Sequence, residues 1–397
     1  MAYSEKQFRD GPLVSVVMAN FEAGDRIVPA LASVLGQTMA DLEVIVSDDA
    51  SGDDSVAHVR AMAKADPRIV LIEGKTNRGP AHCRNRALEV ARGRWIAVVD
   101  SDDIIHPERF ERLLALAARR DADIVADDLL LFHEDGSAPR LMLGTDAASC
   151  FAVSPMRWVM AGIDGSPALG YLKPMIRAEC LKRQRYDEAL RIGEDYDFVL
   201  RLLLGGAAMV VVPEPFYLYR RHSASISHRL SSRDVRAMIE QQQALVSGYE
   251  GLPSELLAAF ARRLAVLREG LSYEELVAAI KQRRLLASLG FLARRPSHLH
   301  RLWTSFMEGR QRRTVAPVPM AGAERIVLGG QGAHAGRAVP AYVPSHLVDW
   351  SAPRPREVWL DLASHAGARC IAMDDAGRYA AGFIPEVQFE ARVREVL

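Results

Sequence analysis

Cysteine is scarce in this 397-residue chain: Cys83, Cys150, Cys180 and Cys370 stand far apart, with no Cys-x-x-Cys pair. That pattern excludes a disulfide framework and a zinc ribbon, and it reads as reduced thiols in a cytoplasmic protein. Net charge is absent as well. Lys and Arg together number 50 and Asp and Glu likewise 50, so no global field recruits nucleic acid. No apolar run approaches the ~20 residues of a membrane span, and the opening MAYSEKQFRDGP is too polar for a signal peptide. The expectation is a soluble protein, or one held peripherally at a surface. The first apolar run is followed by MANFEAGD, whose single glycine, Gly24, makes no glycine-rich phosphate loop.

What the sequence does have is apolar content, 49% of its residues. That is enough for one large domain of roughly 200–250 residues with a smaller appendage, or for two to three ordinary ones. Up to about Leu130, apolar strands alternate with helical patterns. LVSVVMA from Leu13 reads as a strand, and DRIVPALASVLGQT then carries Ile27, Leu31, Val34 and Leu35 on one helical face. DLEVIVSDDAS, RIVLIEG and RWIAVVDSDD read as further strands. Helices DDSVAHVRAMAKA and GPAHCRNRALEVARG lie between them, the second closed by Gly93. This βαβαβαβ rhythm predicts a mostly parallel sheet with right-handed crossovers, a class that binds ligands at the carboxyl ends of its strands.

Two of those strand ends are acidic: Ser47-Asp48-Asp49, and Asp100-Ser101-Asp102-Asp103. Helix capping explains Asp53 and Asp54, because a cap needs one acceptor. It does not explain three carboxylates packed around one serine, which repel one another all the more when desolvated. A divalent cation, Mg²⁺ or Mn²⁺, with part of its shell supplied by substrate phosphates, would remove the repulsion.

Ser33-Val34-Leu35-Gly36-Gln37-Thr38, Asp48-Asp49, Asn77-Arg78-Gly79 with Arg84-Asn85, and Asp100-Ser101-Asp102-Asp103 stand in an order that resembles family 2 glycosyltransferases of the GT-A fold. The resemblance runs from Leu13 to Ser227. It implies an α/β fold, a nucleotide-sugar-binding sheet flanked by helices, and it implies roles for particular residues. Asp49 falls to the uracil or ribose of a UDP-sugar, with Ala19, Asp48, Arg84, Asp100 and Ser101 also on the donor, while Asp102 and Asp103 fall to the diphosphate metal. Glu194-Asp195, ahead of an apolar helical face with Phe198, Leu202 and Leu203, resembles the family's "ED" motif. There Asp195 would be the base that an alcohol nucleophile needs, with Glu194 as its neighbour or cap. Tyr219-Arg220-Arg221-His222 with Ser225 and Ser227 resembles a further segment, in which His222 adds an imidazole to the metal. Structural readings stand beside each: first-turn acids suit a helix dipole, Arg78 and Arg84 suit a helix surface, and a lone histidine suits a core.

No QxxRW sequence accompanies these motifs, so the resemblance implies one sugar added per encounter. The stretch GYLKPMIRAECL, Gly170 to Leu181, should face the acceptor. The subfamily most resembled is the bacterial glucosyltransferases that build lipid-linked repeat units of succinoglycan-type exopolysaccharides. It implies inversion at the anomeric carbon and UDP-glucose as donor, with UDP-galactose and UDP-N-acetylhexosamines as alternatives. A non-catalytic nucleotide-sugar binder or assembly protein is the other class left open, and it would tolerate loss of the base.

Beyond residue 228 the resemblance thins, giving a domain over 1–228, a helical extension over 229–315 and a small α/β or β-rich unit over 316–397. The extension is rich in arginine from Arg283 to Arg313, interleaved with Leu286, Leu289, Leu292, Trp303 and Phe306. Such a pattern fits either a helix pair at an anionic membrane surface, facing the cytoplasm, or helices packed on the first domain.

Overall fold

The computed structural model describes residues 11–133, 140–143, 149–181, 184–222, 231–300 and 302–303, and backbone strands at 326–330, 356–358, 361–362, 369–373 and 379–380. Four strands expected from the alternating pattern are present: β1 (Val14–Asn20), β2 (Leu42–Asp48), β3 (Ile69–Glu73) and β4 (Trp95–Val98). They pair in parallel in the order β3-β2-β1-β4. The helices between them are α1 (Ile27–Leu35), α2 (Ser55–Ala65) and α3 (Pro80–Val90).

Past β4 the parallel pattern ends. The chain adds β5 (Ile104–Ile105), α4 (Arg109–Arg120), β6 (Ile124–His133), β7 (Arg140–Leu141), β8 (Phe151–Val153), α5 (Pro155–Met160), β9 (Met175–Arg177), α6 (Glu194–Leu204) and β10 (Met209–Arg221). The sheet continues β4-β9-β6-β10-β5, with β9 antiparallel to both its neighbours. The sheet is therefore mixed, and β9 brings the chain back beside β4 just where the acidic cluster begins. The strands at 326–380 form a second sheet of their own.

Local chemistry fixes the turns that deliver the site. Ser15 on β1 is fully buried and donates to Glu43 Oε1 at 2.6 Å, while its oxygen accepts the Gly93 N–H at 2.6 Å. Arg92 closes on the same glutamate at 2.7 Å. A Cβ at position 93 would lie 2.2 Å from the Ser15 nitrogen, so only glycine lets the end of α3 descend this closely onto β1. In β10 the register against β6 shifts between Val212 and Tyr217, where Pro213 and Pro215 withhold ladder donors. The second half of the strand is thereby re-aimed, and it carries Tyr217 and Arg220 under the acidic loop.

Helices α7 (Ser232–Gly248) and α8 (Ser254–Lys281) follow, then α9 (Leu285–Arg294). Leu245, Leu256, Ala259 and Phe260 of α7 and α8 belong to the same apolar core as the strands. On and after α9, by contrast, Leu286, Leu289, Leu299 and Trp303 lie exposed. Among the described residues no helix is long and apolar enough to cross a membrane.

Among the described residues one ion pair lies entirely inside. Arg109 and Asp127 are both 0% exposed and meet at 2.8 Å. The guanidinium also donates to the carbonyl of Lys173 and lies 4.9 Å from the Tyr217 ring centroid. Removing one partner strands a buried charge, at a cost of ~3–5 kcal/mol, whereas an apolar pair of similar volume is close to neutral. Urea unfolding should therefore show Arg109→Met losing about that much, with Arg109→Met/Asp127→Leu recovering most of it.

Candidate active site

The carboxyl ends of β1, β2 and β4 converge, as a parallel sheet requires. Ala19 is half-buried, next to last in β1, and neighbours Ser47 of β2. Asp48 is turned inward: it accepts from Asn20 Nδ2 at 2.7 Å, Ser51 Oγ at 2.5 Å and Ser51 N at 3.0 Å. Asp49 spends both oxygens on the loop ahead of α3, taking the N–H groups of Arg78 at 2.8 Å and Gly79 at 2.7 Å. The Arg78 side chain is half-exposed and pairs with Glu188 at 2.8 Å.

Past β4 the acidic cluster divides into three environments. Asp100 faces two cations, with Lys173 Nζ at 2.7 Å and Arg84 Nη2 at 3.0 Å. Burial raises its carboxyl, but the ammonium and guanidinium outweigh burial and bring it down to about 2. Ser101 is buried. Asp103 is 1% exposed and accepts from Tyr217 Oη at 2.8 Å and from the Arg220 N–H at 2.7 Å. Burial, and then the charges of Asp102 and Asp100, push its carboxyl well above the usual range. Asp102 is the most open of the three, its side chain 29% exposed against 22% for Asp100, with Oδ2 2.8 Å from His222 Nε2.

Part of the charge in the cluster is balanced within the fold: Arg84 and Lys173 face Asp100, while Asp103, still pushed up by its carboxylate neighbours, accepts from a hydroxyl and a peptide N–H. Asp103, expected as a metal ligand, has both oxygens engaged below the surface. Among the described residues no three His, Cys, Asp or Glu side chains converge as a complete metal set. Asp102 and His222 remain. Their 2.8 Å separation is close to the ~3 Å between adjacent ligands of an octahedral ion with bonds of about 2.1 Å. The pair therefore fits Mg²⁺ or Mn²⁺ as a partial site, the rest of whose shell comes from substrate and water.

Glu194 and Asp195 open α6, whose N-cap Gly193 has φ +88°. Arg84 Nη1 lies 2.6 Å from Glu194 and 3.3 Å from Asp195, and Lys173 Nζ is also 3.3 Å from Asp195. Burial and the Asp195 charge push the Glu194 carboxyl up to about 7 against the pull of Arg84. Asp195 is the more open of the two, its side chain 17% exposed. Below, the Tyr186 ring centroid lies 5.5 Å from the Arg84 guanidinium.

Sequence reasoning missed Lys173, Tyr217, Tyr186 and the structural work of Arg220. Lys173 stood inside GYLKPM with no spacing to mark it. Tyr217 and Arg220 sit in an aromatic β pattern that reads as ordinary strand. Ser225 and Ser227 lie outside the described residues.

The sheet thus carries an acidic loop at the switch between its parallel and antiparallel parts, with buried cations behind it. Residues 15–145 match the model of glycosyl transferase family 2. The succinoglycan biosynthesis protein ExoO of Rhizobium meliloti is 36% identical over 284 residues, covering 70% of this chain and 80% of that one. ExoU of the same organism is 29% identical over 335 residues, covering 80% and 93%. The chain belongs to glycosyl transferase family 2. The crystal structure of Staphylococcus aureus TarS 1–349 superposes with a TM-score of 0.51 at 21% identity, over 70% of this chain and 79% of that one, and shares the fold.

Asp100 gives a pH test. Its value in the fold, about 2, lies below the ordinary 3.8. Its stabilising contribution is therefore present above pH ~4 and lost as pH falls through ~2. Asp100→Asn should lower stability at pH 7 by of the order of 2 kcal/mol. Urea titrations at each pH should also show the variant losing less than wild type between pH 4 and 2.

Proposed function

We propose that this chain is an inverting, non-processive hexosyltransferase. It moves a sugar, glucose, from a UDP-sugar to a saccharide acceptor, a lipid-linked exopolysaccharide repeat unit. One observation carries the reading: Asp100 at the donor end of β4 and Asp195 at the start of α6 share the same two buried cations, which ties a donor-side carboxylate to a base in one rigid group. The similarity to ExoO and ExoU supports exopolysaccharide as the product class.

Asp195 takes the proton from the acceptor hydroxyl as that oxygen bonds to the anomeric carbon. The bond from that carbon to the UDP oxygen breaks on the opposite face, and its electron pair leaves with the diphosphate. One carboxylate and one displacement give inversion, by the geometry that governs inverting hydrolases. Mg²⁺ or Mn²⁺ at Asp102 and His222 would neutralise the leaving diphosphate. Ala19, Asp48, Asp49, Arg84, Asp100 and Ser101 line or brace the donor side, and Asp103 braces the loop. Residues 1–228 form the transferase domain, 229–315 its helical extension and 316–397 a small further domain.

The test is a donor screen by UDP release with lipid-extracted acceptors, with and without chelator. Transfer should vanish in excess chelator and return with Mn²⁺ or Mg²⁺, and activity that ignores chelator would remove the metal from the scheme. Asp195→Asn should cut turnover by roughly 10²–10⁴-fold while donor affinity holds, because proton transfer belongs to the transition state. An equal loss of UDP-sugar binding would make Asp195 a donor ligand instead.

The extension supports a surface location facing the cytoplasm. Exposed Leu286, Leu289, Leu299 and Trp303 stand among exposed Arg283, Arg284 and Arg295, and each basic group near anionic lipid contributes on the order of 1 kcal/mol. The protein should sediment with anionic and not with neutral vesicles, and salt should release it. Replacing Arg283, Arg284, Arg294 and Arg295 by glutamate should abolish sedimentation and spare transfer to a soluble acceptor; persistent binding would place the anchor elsewhere.

A further inference from the structure

Lys173 precedes β9, and Pro174 after it confines its backbone to an extended form. Its carbonyl is held by the buried Arg109 guanidinium, so the side chain starts from a fixed point. It is 6% exposed. A buried ammonium is costly unless paired, and this one has Asp100 at 2.7 Å and Asp195 at 3.3 Å. Burial works against its charge, yet those two carboxylates hold it protonated well above the ordinary lysine range, with Arg84 opposing.

Among the described residues, the groups that face Asp195 are Lys173, Arg84 from α3, Glu194 on its own helix, Tyr186 from the loop before α6, and Asp100 across the ammonium. Without Lys173, one guanidinium would serve three carboxylates. Like charges at close range favour proton uptake, and a carboxyl that already holds a proton cannot accept another from a hydroxyl.

We propose that Lys173 is the positioning residue of the transfer, joining Asp100 to Asp195 so that the base stays charged and fixed relative to the donor. The proposal rests on the transferase reading of Asp195. No contact between Lys173 and substrate is part of it.

Two readouts test it, one of them independent of activity. In donor-free protein, ¹³C NMR of labelled Asp carboxyls, with Asp195 assigned through Asp195→Asn, follows the protonation of Asp195. Lys173→Met should move that midpoint up by at least about one pH unit, and Lys173→Arg should restore it to within a few tenths. In the transfer assay, Lys173→Met should lower kcat at least about tenfold at neutral pH, with the acid limb of the kcat profile displaced upward by the same interval. Should Lys173→Met fail to fold, Lys173→Gln carries the same comparison, being polar and uncharged.

A midpoint and an acid limb that stay put while kcat falls equally at every pH would overturn the proposal and leave Lys173 a structural residue. Wild-type protein that releases UDP from no donor would instead overturn the transferase reading. The NMR titration would still decide whether Lys173 holds Asp195.

Discussion

Two buried cations, Arg84 and Lys173, face three carboxylates, and nearly every element of the active region has to be where it is for that meeting to occur. Arg84 comes from α3, Lys173 from the approach to β9, Asp100 from the end of β4, and Glu194 and Asp195 from the start of α6. Of these segments α3 and β4 are consecutive, whereas Lys173 lies 73 residues beyond Asp100. Desolvating such charges costs several kcal/mol each, so the group is stable only when complete, and its assembly selects one arrangement of strands and helices. The antiparallel return of β9 beside β4 is the topological step that completes it.

A second layer holds the first. Asp127 binds Arg109, which holds the Lys173 carbonyl and lies against the Tyr217 ring; the Tyr217 hydroxyl accepts the Asp100 N–H at 3.0 Å and donates to Asp103. Asp103 and the Arg109–Asp127 pair are thus engaged within the fold, although they have the residue types of a reacting site. Residue type shows that a group can titrate; only its partners show whether it is available to a ligand.

The first four strands and three helices were legible because their periodicities differ cleanly, with compact apolar runs for buried strands and a one-sided stripe for α1. The acidic loop was legible as a place, since three carboxylates at a strand end need an explanation. Its compensation was not. Lys173 is 73 residues beyond Asp100 in the sequence, and no local pattern links them. The mixed half of the sheet was hidden for a related reason. Strand β9 is three residues long, below the length at which period-two alternation can be read, and the register shift in β10 follows from prolines whose effect depends on the neighbouring strand.

The helical extension is tied to α6 more closely than a linear domain map conveys. Gln241 of α7 donates to Asp197 at 2.8 Å, the Arg263 guanidinium of α8 lies 3.9 Å from the Tyr196 ring centroid, and a Cβ on Gly193 would come within 2.5 Å of the Met238 methyl. In evolutionary terms the extension is not a cassette: a chimera joined near residue 228 would inherit an α6 shaped for one set of helices and seat it against another. In this lineage α6, α7 and α8 should then change together.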